Sequence, residues 1–206
     1  MITKIKLFAS TAAVLATVFT FSSAQASDMM NMSDFYAGGY GGWGWTKTDV
    51  SGGSSVNLNG TNWGGFVGYN FGNMPSQQNL GMQLGVEAHY GWTAGTGTTT
   101  TVGGVPTSLE QKHEWGVDLR PGFASLISSA PLDIKPYAIL GYRRTEFSDS
   151  THSNSEHPGF ALGLGTELVS YQHFGLRLDY DHVFFKSRDG LDPHENDLRA
   201  GLVYHF

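Results

Sequence analysis

Cysteine is absent from the 206 residues, which excludes a disulfide framework and a thiolate metal site. Basic residues are few and nowhere form a tract: 12 Lys and Arg stand against 18 Asp and Glu, so no nucleic-acid groove is expected. Proline is scarce at 7 residues, whereas glycine is abundant at 28 and aromatics make up 13%. That mixture suits a sheet with tight turns and closely approaching backbones better than disorder. Past the N-terminal segment no stretch approaches the ~20 apolar residues of a membrane-spanning helix.

The N-terminal segment MITKIKLFASTAAVLATVFTFSSAQAS combines Lys4 and Lys6, an apolar run from Leu7 to Phe21, and small residues at Ala24 and Ala26. This is the layout of a secretory signal peptide over residues 1–26, cut after Ala26. The mature chain, residues 27–206, then carries 10 basic and 18 acidic residues, a formal net charge of −8. It is expected to contain no membrane helix and to be exported to the bacterial periplasm or beyond.

What the mature chain does contain is alternation. In LGMQLGVEAHYGW, Leu80 to Trp92, every second residue is apolar or aromatic and the residues between are Gly, Gln, Glu or His. A period of two marks a β-strand. Seven further segments share it: Phe35–Trp45, Asn62–Phe71, Glu114–Phe123, Pro136–Arg144, Gly159–Leu168, Gly175–Phe185 and Asn196–Phe206. None of the connecting segments has a helical period. The connections 47–61, 93–113, 148–158 and 186–195 are longer and polar, and those at 72–79, 125–133 and 169–174 are shorter. Long loops on one side and short turns on the other describe an up-and-down outer-membrane barrel, and an even strand number puts both chain ends in the periplasm.

The two parities differ chemically. One holds Val67, Val117, Leu119, Leu140, Leu162, Leu164, Leu176, Leu178 and Leu198. The other holds Glu87, His89, Glu114, Asp118, Arg120, Arg143, Glu167, Arg177, Asp179, Asp181, Asp197 and Arg199, spaced by glycines. Tyr137 and Ile139 break the pattern on the polar parity, so the fifth strand is the least regular. All five tryptophans, Trp43, Trp45, Trp63, Trp92 and Trp115, fall on the apolar parity near the strand ends that border the long loops. A membrane-interface girdle predicts that placement, whereas a sandwich core would scatter tryptophans toward strand middles. The expected fold is therefore all-β, an eight-stranded antiparallel transmembrane barrel with its greasy face toward lipid. Eight strands leave a lumen just wide enough for side chains. Charges inside must pair, and the expected network sets Glu87, Asp118, Glu167 and Asp179 against Arg120, Arg143, Arg177 and Arg199.

With these segments in hand, GFVGYNF, LGVEAHYGW, the small-residue run Gly159, Ala161, Gly163 and Gly165 before Glu167, LRLDYDH and DLRAGLVYHF, the chain resembles the OmpA-like small outer-membrane β-barrel proteins of Gram-negative bacteria, the porin family. The resemblance covers essentially the whole mature chain. It implies that Leu202, Tyr204 and Phe206 form the C-terminal signal read by the barrel-assembly machinery. It also implies that outer-membrane lipid and lipopolysaccharide surround the protein. The chain stops at Phe206, so the peptidoglycan-binding domain of some members is expected to be absent.

The interior charges admit two readings: a salt-bridged plug that fixes strand register, or a narrow passive porin for small solutes, and the narrow lumen favours the plug. The histidines His113, His152, His157 and His194 near the external loops are candidate ligands for a metal or haem. None has the spacing that chelation from a single strand or helix requires, and solvated loop residues are the plainer reading, so no cofactor is expected. His182, on the lipid-facing parity near the outer rim, could reach lipopolysaccharide phosphates or simply sit at the interface. A lipid A-modifying enzyme would need an ordered Ser and His near the outer leaflet. The stretch THSNSEH offers His152, Ser153, Ser155, Glu156 and His157, but Asn154 interrupts the His-x-Ser order of the deacylases, and no enzyme activity is expected. The Thr-rich run at 93–108 is a candidate surface for a host or surface ligand. The expected role is structural and surface-interacting.

Overall fold

A computed structural model describes residues 34–50, 54–74, 82–96, 100–102, 105–107, 109–123, 127–129, 132–149, 155–170, 173–187 and 191–206. Eight long strands run through them: β1 (Asp34–Val50), β2 (Ser54–Met74), β3 (Met82–Thr96), β4 (Leu109–Phe123), β5 (Leu132–Asp149), β6 (Ser155–Ser170), β7 (Phe174–Phe185) and β8 (Leu191–His205). Every sequential pair is antiparallel, and β1 also pairs with β8, from Tyr36 opposite His205 to Val50 opposite Leu191. The sheet is thus a closed eight-stranded barrel without a free edge, which satisfies the backbone of every strand in hydrocarbon. Three short strands accompany it: Thr100–Val102 pairs with Val105–Thr107 in a separate two-stranded sheet, and Ile127–Ser129 extends the barrel sheet against the start of β5.

The strands are longer than the apolar alternation predicts. Residues 47–50 and 54–61, expected as a loop, continue the β1–β2 ladder up to Val50 opposite Ser54. The same holds for β5 and β6, whose ladder reaches Phe147 opposite Ser155. Backbone pairing in water needs no apolar face, so polar residues carry the hairpins past the greasy band without leaving a trace in the hydrophobic pattern. Much of the expected difference in loop length is in fact strand that overshoots the tryptophans.

The outside of the wall is hydrophobic. Leu164 is 70% exposed, and Leu176, Leu178, Leu162, Leu198, Val117, Leu119 and Leu140 are exposed with it. The five tryptophans are exposed at one end, with Trp63 stacked on Trp92 at 4.7 Å. A second aromatic band, absent from the sequence-based expectation, surrounds the other end. Phe71, Phe123, Phe174, Tyr204 and Phe206 are all exposed there, and Tyr204 packs edge-on against both Phe174 and Phe206.

Candidate functional site inside the barrel

The inward parity builds the site. Along β7 the residues alternate strictly between exposed and buried except at His182, which is partly exposed, and Arg177, Asp179 and Asp181 all turn inward. Starting at the end that holds both Asp34 and the C-terminus, Asp34 pairs with Nδ1 of His205, whose Nε2 lies 2.6 Å from Glu167. Arg177 donates to Glu167 at 3.1 Å and to Glu87 at 2.6 Å. Glu87 also meets Arg120 at 2.7 Å, and Arg120 donates to Asp179 at 3.1 Å and approaches Asp118 at 3.6 Å. Arg143 then bridges Asp118 and Asp181, with the Asp181 bond at 2.8 Å, and Arg199 also pairs with Asp181. Charges of alternating sign therefore climb the lumen and stitch together strands that are not neighbours in the sheet.

All eight network residues expected from the sequence, Glu87, Asp118, Arg120, Arg143, Glu167, Arg177, Asp179 and Arg199, are buried, with Asp118 and Arg143 both at 0% exposure. Buried ion pairs hold only when each charge is opposed and its remaining hydrogen-bonding groups are placed. Four aromatic rings help. Phe66 lies under the guanidinium of Arg177 at 4.4 Å, Tyr137 under Arg120 at 5.0 Å, Tyr36 under Arg177 at 5.3 Å and Tyr40 under Arg199 at 5.4 Å. The faces of these rings attract the cations that the carboxylates leave partly uncovered. The irregularity of the fifth strand is explained here: Tyr137 points inward and its hydroxyl donates to Asp179, while Ile139 is fully buried. Glycines make the room. A side chain at Gly141 would collide with the Asp118–Arg143 pair, and one at Gly68 with the ring of Tyr36.

Sequence reasoning missed several members. Tyr36 and Tyr40 share a parity with Gly38 and Gly42, opposite to Trp43 and Trp45, and that offset is the signal that would have placed them inside. His205 and Glu195 alternate with Asp197 and Arg199 on β8 and were legible in the same way. Gln111 was not. The β4–β5 register slips between Gln111 and His113, so Gln111 and Glu114 both face the lumen although their numbering has opposite parity. An extra residue in one strand reverses which side chains point inward, and alternation alone cannot show it.

The other residues singled out from the sequence are dispersed. His113 stands on the outer wall, 2.9 Å from Glu146, whereas His157 is buried on the inward parity. His194 stacks on His182 at 5.9 Å between centroids, and His182 meets Asn196 at 2.8 Å. Glu156 pairs with Arg144 on the outer face, on the opposite side of β6 from His157. Leu202, Tyr204 and Phe206 are all exposed on the outer wall of the last strand and beyond it. His152, Ser153, the signal segment 1–26 and parts of the Thr-rich run lie outside the described residues.

A closed antiparallel barrel, apolar outside and ionised inside, is a protein of the bacterial outer membrane. The chain belongs to the outer membrane protein beta-barrel domain family, whose match extends over residues 12–206. Among solved structures, Ail, the attachment invasion locus protein of Yersinia pestis, in complex with the heparin analogue sucrose octasulfate, is 16% identical over 84% of this chain and 99% of its own, with a TM-score of 0.46. Neisserial surface protein A, NspA, is 15% identical over 84% of this chain and 97% of its own, with a TM-score of 0.48. The outer membrane protease OmpT from Escherichia coli is 10% identical over 90% of this chain and 100% of its own, with a TM-score of 0.44. No curated protein matches the chain.

Proposed function

We propose that this outer-membrane barrel is a non-enzymatic structural and surface-interacting protein, its lumen plugged by its own ion pairs. The observation that carries this reading is the packing of the lumen: two voids among its charged side chains have volumes of about 10 Å³ each, at most one water apiece. A solute would have to displace opposed charges to pass, and each buried pair costs ~3–5 kcal/mol to break on one side. Reconstituted in a planar bilayer, the purified protein is expected to be silent. Stable, well-defined channels would replace this reading with the passive porin.

Several assignments belong to the same proposal. Residues 1–26 are removed after Ala26 on export, and 27–206 form the mature barrel, which N-terminal sequencing of outer-membrane material checks. Trp43, Trp45, Trp63, Trp92 and Trp115 anchor the outer interface. Leu202, Tyr204 and Phe206 serve as the signal for the assembly machinery, so deleting Phe206 is expected to lower the amount of folded barrel in the membrane. External hairpins in contact with lipopolysaccharide carry any host or surface ligand. Opposite facing of Glu156 and His157 supports the absence of lipid A chemistry, and radiolabelled lipid A incubated with the protein should keep its acylation. On the outer wall, Leu164→Arg, midway between Phe160 and Leu168 on β6, is expected to destabilise the barrel by ~2–4 kcal/mol, read from urea unfolding in lipid vesicles.

A further inference from the structure

Above the ion-pair ladder the lumen changes sign. Glu114 from β4 and Glu195 and Asp197 from β8, on opposite walls, are all buried, and their carboxylate oxygens lie within 4.8 Å of one another. Among the described residues, two of the three meet only neutral donors at hydrogen-bond distance. Gln111 Nε2 reaches Glu195 at 3.1 Å and 3.4 Å, and Asn62 Nδ2 reaches Asp197 at 2.8 Å. Glu114 accepts from Thr145 at 3.1 Å, and its nearest guanidinium nitrogen, Arg143 Nε, is 3.6 Å away on a side chain already committed to Asp118 and Asp181. Burying three carboxylates that face one another is expensive when the nearest guanidinium nitrogen among the described residues stands 3.6 Å from one of them.

A second feature points the same way. The His89 side chain is 2% exposed, and neither ring nitrogen makes a hydrogen bond. Its Nε2 is aimed at Glu114 Oε1 from 3.5 Å, and its Nδ1 stands 3.7 Å from Asp118. Closing Nε2 onto Glu114 by a few tenths of an ångström would give that carboxylate the outer-shell hydrogen bond that ligating carboxylates receive. Asn62 Oδ1 is also buried without a donor, and turning the amide over would present that oxygen where Nδ2 now meets Asp197. Gly44 keeps the space open, since a Cβ there would stand 2.6 Å from Asp197 Oδ1 and 3.2 Å from Glu195 Oε1.

We propose that the extracellular end of the lumen binds one hard divalent cation, Ca²⁺ or Mg²⁺, between Glu114, Glu195 and Asp197. The donors are oxygens from carboxylates and side-chain amides, the set that hard cations take. Bound there, the ion supplies the positive charge that the arginine ladder does not extend to. It also ties β4 to β8 across the barrel.

The test uses the whole mature barrel, folded in a phosphate-free detergent and stripped with chelator. Equilibrium dialysis against CaCl₂ and MgCl₂ is expected to show saturable, stoichiometric binding, with a rise in unfolding temperature over NaCl of equal ionic strength. In Glu195→Gln/Asp197→Asn, affinity should fall at least ~10-fold and the rise in unfolding temperature should disappear. Should that double variant fail to fold, Glu195→Gln alone carries the same reading. Absence of binding to the unmodified chain overturns the site. Equal binding by the variant moves the ion elsewhere on the molecule and also overturns it, and a response to ZnCl₂ alone contradicts the oxygen donor set.

Discussion

The two ends of the lumen are built from the same residue types and balanced differently. Toward the periplasm, Arg177 and Arg120 each lie between carboxylates and against aromatic rings, so every charge faces an opposite one. Toward the outside, Glu195 and Asp197 face Glu114, and among the described residues the donors that reach the two of them are the amides of Gln111 and Asn62. The lower end explains how a narrow barrel tolerates ions in its centre: alternation of sign, with ring faces covering what remains. At the upper end the alternation stops, and three carboxylates stand together at the place the proposed cation would fill. One lumen thus holds a finished plug below and an acidic mouth above.

Substitutions at the two ends should differ in sign. The largest effect is expected from Glu87→Gln, which strips a carboxylate from both Arg120 and Arg177 and should cost ~3–5 kcal/mol in urea unfolding of the reconstituted barrel. A loss below 1 kcal/mol would show that the lower ladder is not the tightly balanced unit described. Next, Tyr137→Phe removes the hydroxyl that donates to Asp179 while leaving the ring under Arg120. About 1.5–3 kcal/mol should be lost, the range for a hydrogen bond to a charged group. The smallest change should come from Glu195→Gln measured in chelator. Relief of repulsion is expected to leave stability unchanged or raise it by about 1 kcal/mol. A clear destabilisation there would erase the contrast between the ends.

Much of this architecture was legible because a membrane barrel writes its two faces into alternate residues. Leu162, Leu164, Leu176 and Leu178 declared the outside, and Glu87, Asp118, Arg143 and Arg177 the inside, before any partner was known. Pairing was less visible. That Arg177 joins Glu87 on β3 to Glu167 on β6 depends on the stagger of strands around a closed sheet, which no single strand records. Gln111 was hidden by a one-residue slip, and the overshoot of β1, β2, β5 and β6 by polar residues that pair without an apolar face. The periplasmic aromatic band was missed for another reason. Phe71, Phe123 and Tyr204 share the apolar parity, but phenylalanine and tyrosine occur at both ends of these strands, as Phe160 and Phe184 show, whereas the tryptophans gather at one end.

Because the chain has no cysteine, single spin labels can be placed on it without background. Nitroxides at Leu164→Cys and Leu178→Cys in lipid vesicles should be highly accessible to oxygen and poorly accessible to a water-soluble nickel complex. A nitroxide at Tyr40→Cys, inside the wall, should be shielded from both. Labels at Leu164 and Leu178 shielded from oxygen, in a chain that stays dissolved and monomeric without detergent, would contradict the account: the leucines would then form a core, and the ions would face water.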